Sequence, residues 1–158
     1  DATHLPHFDR EATSITYDIF HGQWLLDRGG HEARYPFGFG LSYAQAELRD
    51  TTVDIVEAEI TVSATLTNDG DREADEVVQV YAGARGDGVE RPLWRLVAFT
   101  RTDVQARGSN TVRLSFPIEK LAIRVDGAWV IEQGPYDMAV GLHAHDPLAA
   151  VVRVEVTS

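Results

Sequence analysis

The stretch Glu59-Ile60-Thr61-Val62-Ser63-Ala64-Thr65-Leu66 alternates apolar and polar residues without a fault. Only an extended strand sorts a period of two onto two faces, so Ile60, Val62, Ala64 and Leu66 are expected to share the side turned to a core. Asn68-Asp69-Gly70-Asp71 then supplies residues that tolerate positive φ, and the chain is expected to turn there. Val77-Val78-Gln79-Val80-Tyr81 and Leu96-Val97-Ala98-Phe99 are further β-rich runs, separated by a loose loop over 83–92. Thr111-Val112-Arg113-Leu114-Ser115-Phe116 alternates cleanly and stops at Pro117, which has no N–H to give a ladder. Residues 118–121 read as one helical turn. Asp126-Gly127-Ala128, flanked by Ile123-Arg124-Val125 and Trp129-Val130-Ile131, signals a short hairpin. After Gln133-Gly134-Pro135, residues 136–141 and 151–156 complete the series. About seven short strands at this spacing, with no long helical pattern among them, predict an all-β antiparallel β-sandwich.

Residues 1 to about 43 have a different texture, rich in Gly, Pro, His and aromatics and with little periodicity. Tyr35-Pro36-Phe37-Gly38-Phe39-Gly40-Leu41-Ser42-Tyr43 sets four aromatics around two Gly and a Pro. Gly permits unusual backbone and aromatics bury large areas, so an extended segment pinned onto something larger is expected. Asp27-Arg28-Gly29-Gly30 reads as a turn. Residues 1–34 hold too few apolar positions for a core of their own, and another domain is expected to hold them.

The 158 residues suffice for one core-bearing domain with extra chain, and fall short of a large barrel enzyme with accessory domains. A formal net charge of -11 repels phosphate backbones and anionic lipid, which argues against nucleic-acid and membrane partners. Without Cys there are no disulfides and no thiolate metal sites. No apolar run approaches the roughly 20 residues that span a bilayer. The leading residues are polar and acidic, without a signal-peptide pattern, and Asp1 in place of Met reads as the start of a processed or trimmed chain.

The residues from Pro36 to Tyr43 resemble the Pro-Phe-Gly-x-Gly-Leu-Ser-Tyr signature of glycoside hydrolase family 3, the β-glucosidase family. Upstream, Leu5-Pro6-His7-Phe8, Tyr17 and His21-Gly22-Gln23-Trp24-Leu25-Leu26-Asp27-Arg28 are similar to the family stretch that precedes it. Downstream, Thr67-Asn68-Asp69-Gly70-Asp71, Glu76-Val77-Val78-Gln79-Val80-Tyr81, Arg91-Pro92, Leu96, Phe99, Leu121-Ala122 and Gly134-Pro135-Tyr136 through Gly141 resemble its fibronectin type III-like domain. The resemblance implies an immunoglobulin/fibronectin type III-like sandwich over 44–158. Residues 1–43 would then be the extended end of the preceding α/β sandwich domain and its linker. It also implies a parent that hydrolyses terminal β-D-glycosidic bonds with retention, slightly favours an extracellular or periplasmic setting, and calls for no cofactor. Retention needs two carboxyl groups about 5 Å apart across the bond. The family supplies them from a barrel domain, with an Asp in a Ser-Asp-Trp type motif, and from the α/β sandwich domain. Here no Asp is followed by Trp and there is no room for a barrel. The resemblance therefore implies a non-catalytic C-terminal module, partnered by barrel and sandwich domains on the same or a separate chain. Gln23-Trp24 stands where the family usually has Tyr-Arg, Trp94 where Lys is common, Ala98 where Gly is usual, and Ala44 where Thr is common.

No catalytic residue and no metal ligand set is expected. His143-Ala144-His145-Asp146 has imidazole and carboxylate that suit zinc, but falls between two strands as an ordinary hairpin. Asp69, Asp71 and Asp75 lack the register of a calcium loop. Glu73, Asp75 and Glu76 read as solvated charges at a strand start, and Ser42 as a structural hydrogen-bonding group. His4, His7, His21 and His31 have no nucleophile motif nearby. Trp94 and Trp24 are the candidates for contact with a sugar ring, and a carbohydrate-binding module is the alternative function. Trp129 alternates with Ile131 and is expected in the core.

Overall fold

The computed structural model describes residues 9–85 and 88–157. The expectations for His4 and for Leu5-Pro6-His7-Phe8 lie outside the described residues. One sheet contains β1 (Ala46–Val56), β2 (Glu59–Asn68) and β5 (Gly108–Pro117), in the order β1-β2-β5. The other contains β3 (Ala74–Ala84), β4 (Arg95–Val104), β8 (Gly134–Gly141) and β9 (Ala150–Val156), in the order β4-β3-β8-β9. A separate ribbon pairs β6 (Ile123–Val125) with β7 (Ala128–Val130). All the pairings are antiparallel.

The alternation in β2 is realised as read: Ile60, Val62, Ala64 and Leu66 are buried and the residues between them are not. Val112, Leu114 and Phe116 of β5 add to the same face, with Val62 opposite Leu114 and Ile60 opposite Phe116. Val78, Val80, Met138 and Val140 of the second sheet close the core. Full burial of such side chains stabilises the fold by about 1.5–3 kcal/mol each. The predicted turn after β2 is organised by its first residue. Asn68 is buried; its Oδ1 accepts the Gly70 amide at 2.9 Å and its Nδ2 donates to the Arg72 carbonyl at 2.7 Å. Residues 118–121 form the expected single turn, of 3-10 type. The hairpin at Asp126-Gly127 has two central residues at φ 48 and 84, both positive as a type I′ turn requires.

Two expectations need correction. Trp129 is 69% exposed. Its strand β7 belongs to the ribbon that stands off the sandwich and ends at Val130, so the alternation with Ile131 does not continue; the indole meets Arg124 at 5.5 Å across the ribbon. Asp27-Arg28 is not a free turn: it ends a short helix, α1 (Gln23–Arg28), and the chain leaves through Gly29 and Gly30.

The second sheet is unusual on its outer side. The first half of β3 alternates, but from Val78 to Gly83 both faces are buried. The segment before β1 folds back over this face and covers it.

Candidate functional site

The fold-back is fastened through the signature segment. Pro36 to Phe39 makes a turn closed by the Phe39 amide on the Pro36 carbonyl at 2.9 Å, with Gly38 at φ +81. A Cβ on Gly38 would lie 2.9 Å from Cδ of Gln79 and closer still to its Nε2, so the backbone sits directly on that buried amide. Gln79 is held in turn, donating to the Leu142 carbonyl at 3.1 Å and accepting the Tyr81 hydroxyl. The Phe37 carbonyl accepts the Ala144 amide at 2.9 Å, and the Phe37 amide donates to Gln23 Oε1 at 2.8 Å. Ser42 Oγ accepts the Ala44 amide at 3.2 Å. The sandwich itself thus supplies support for a segment that lacks its own core.

Between α1 and the sheet lies a cleft of about 690 Å³. Its floor is one cross-strand row of the outer face, Leu96, Tyr81, Ala139 and Val151, set by the register of β4, β3, β8 and β9. One wall is α1. Gln23, Trp24 and Asp27 are spaced so that a helix puts them on one side, and all three line the cleft. His21 meets the Trp24 indole edge-on at 5.9 Å. The other wall is Trp94, just ahead of β4. It lies against Gly83, where a Cβ would come within 3.2 Å of two indole carbons and 2.7 Å of the Leu93 carbonyl. The end is the β8–β9 loop with His143, Ala144, His145 and Asp146.

The two tryptophans singled out from the sequence, at positions 24 and 94, are therefore brought to one cleft, both half-buried. Sequence reasoning missed the third wall residue, Asp27, because nothing local announces the helix that sets it beside Gln23 and Trp24. Its side chain is 5% exposed, and its Oδ1 pairs with His145 Nε2 at 2.8 Å. His145 has φ 58, a left-handed backbone that sets the ring against α1. Asp146 is a loop staple, accepting the Leu142 and Leu148 amides at 2.9 Å each. Among the described residues, Gln23 Nε2 is buried without a hydrogen-bond partner. Burial pushes the Tyr81 hydroxyl on the floor up to about 12. Asp69, Asp71 and Asp75 pair with Arg49, Arg107 and Arg101 at the surface. Among the described residues no group of three or more His, Asp or Glu is placed to hold a metal. With Asp146 committed to amides and Asp27 to His145, the cleft offers binding surfaces and no pair of free carboxylates.

The model of the fibronectin type III-like domain matches residues 76–144. The chain is 36% identical over 131 residues to an exo-α-(1→6)-L-arabinopyranosidase of Bifidobacterium longum, covering 81% of the chain and 17% of that enzyme. The solved β-glucosidase of Kluyveromyces marxianus superposes with a TM-score of 0.83 at 29% identity, over 89% of this chain and 18% of that one. The family 3 β-glucosidase of Bifidobacterium adolescentis gives 0.81 at 33% identity, over 87% and 21%. The chain belongs to glycoside hydrolase family 3, as its fibronectin type III-like portion. It spans less than a fifth of the length of the curated arabinopyranosidase it matches. Within that family portion, the matched span takes in β3 from Glu76 on, Trp94, Asp137 and the β8–β9 loop to Ala144, while α1 and the signature turn lie ahead of it.

Proposed function

We propose that the chain is the non-catalytic C-terminal structural module of a retaining β-glycosidase. In this reading residues 1–43 end the preceding α/β sandwich domain and form the linker, and residues 44–158 are the buttressing sandwich. One observation carries it. The signature segment is fixed to the sandwich by its backbone, yet it turns its large side chains outward, with Leu41 94% and Tyr43 91% exposed and Tyr35 and Phe37 exposed beside them. An apolar patch of this kind on an extended segment is what an interface leaves bare when its partner is removed. Barrel and α/β sandwich domains of the parent fit that role. The purified 158-residue chain is expected to show no hydrolysis of aryl β-glucosides. Turnover that persists through removal of contaminating glycosidases would overturn the reading.

A further inference from the structure

We infer that the cleft between α1 and the outer face of the second sheet is a carbohydrate-binding site, taking one or two pyranose rings between Trp24 and Trp94. The volume, about 690 Å³, lies within the range of small-ligand sites. Both indoles line it; Trp24 makes a T-shaped contact with His21 and Trp94 lies against the bare backbone of Gly83. Flat apolar faces placed in this way suit the apolar face of a sugar ring.

The polar groups decide between a sugar and a cation, the other ligand class that indoles attract. Asp27 Oδ1 is already engaged by His145, and its other oxygen takes no hydrogen bond among the described residues. Gln23 has its Oε1 held by the Phe37 amide, which leaves Nε2 as the end without an acceptor. A buried donor without a partner costs about 1–3 kcal/mol. A cation has nothing to accept that donor's proton. A sugar hydroxyl both accepts from an amide and donates to a carboxylate, so a ring that uncovers the Gln23 amide, closed to solvent in the unliganded cleft, can satisfy Gln23 and Asp27 while its face meets an indole. The site shares α1 and Phe37 with the segment assigned above to the preceding domain, and its test is read separately from the test of that role.

The three indoles make the test internally controlled, because Trp129 lies on the β6–β7 ribbon and does not line the cleft. The 15N-labelled chain is titrated with D-glucose, cellobiose and, separately, tetramethylammonium. Each sugar is expected to move the indole N–H signals of Trp24 and Trp94 and leave Trp129 in place, with millimolar affinity for so few ligand atoms. Trp94→Ala and Asp27→Asn should each weaken binding about tenfold or more. The conservative Trp24→Phe, which keeps an aromatic wall, should retain most of it. The inference fails if tens of millimolar sugar leave Trp24 and Trp94 unmoved, or if Trp129 moves with them. It fails equally if tetramethylammonium alone shifts the two indoles, or if Asp27→Asn binds sugar as well as the native chain. Sugar bound without turnover leaves both readings standing, turnover strikes only at the structural one, and silence strikes only at this one.

Discussion

Tyr81 shows how a single residue records the fold-back. Its position in β3 is on the outer face, where a strand of a one-sided sheet would meet water. Here the ring is buried and its hydroxyl donates to Gln79, which the signature turn covers. Burial disfavours the phenolate and raises the pKa from 10.0 to about 12. The sign follows by linkage. Unfolded chain loses the proton near 10 and folded chain holds it, so the contribution of Tyr81 is full below that pH and is lost as pH rises towards 12. Tyr81→Phe is expected to flatten the alkaline limb of the stability curve, by an amount on the order of 2 kcal/mol across that interval. Chemical denaturation at a series of pH values measures it. An alkaline limb of unchanged slope in the variant would show that the outer face is wet.

At the scale of elements, the signature segment is expected to open as a latch without unfolding the sandwich. Gly38 is its pivot, since both the left-handed backbone and the contact with Gln79 exclude a side chain. Gly38→Ala pairs a strained φ of about 1 kcal/mol with an overlap that costs about 2 kcal/mol, more than a segment held by a few backbone bonds withstands. Hydrogen exchange should speed up at Phe37 and Ala144 while the amides of β2 and β5 keep their protection. Uniform loss of protection would mean that segment and sandwich are one cooperative unit. How far the sequence could be read also divides by element. β2 and β5 were legible because one face of each is buried and the other is not, so alternation is intact. β1 was not, because a bulge between Arg49 and Thr52, with Asp50 at φ 53, shifts its parity in mid-strand. The six residues of α1 carry no side-chain cap, so nothing local announces a helix. Trp129 misled because alternation does not say which sheet a hairpin joins. In the cleft, Trp24 and Trp94 were legible as residue types, but their meeting depends on the fold-back, and Asp27 is explained only by its contact with His145.

Across the whole molecule, the acid side of stability is set by carboxylates, in keeping with a net charge of -11. Asp137 is buried, at 2% exposure. It lies on the outer face of β8 and is gripped by Arg85, just after β3, and by Arg153 of β9 at 3.0 Å, so one carboxylate ties three neighbouring strands. Burial on its own would raise its pKa; hydrogen bonds from Arg153 and Arg85 outweigh that and hold the group below the usual carboxylate value of 3.8. A lowered folded pKa gives stability that is present above the unfolded value and is lost as pH falls through the folded one. Resistance to thermal unfolding is therefore expected to weaken below about pH 4. Asp137→Asn should lower stability at neutral pH by about 1–3 kcal/mol and make the acid limb shallower. Parallel acid limbs in the two proteins would assign the loss to other carboxylates.

The bond from the Phe37 carbonyl to the Ala144 amide joins two points about a hundred residues apart, and Ala144 has its place only after β8 has paired with β3. Contacts that close so long a loop are late events in folding. The beginning of the chain thus waits for its end. In a longer protein the surface offered by Tyr35, Leu41 and Tyr43 would come into being only once the last strands are in place, so assembly with anything upstream is timed by the sandwich and not by the order in which the chain is made.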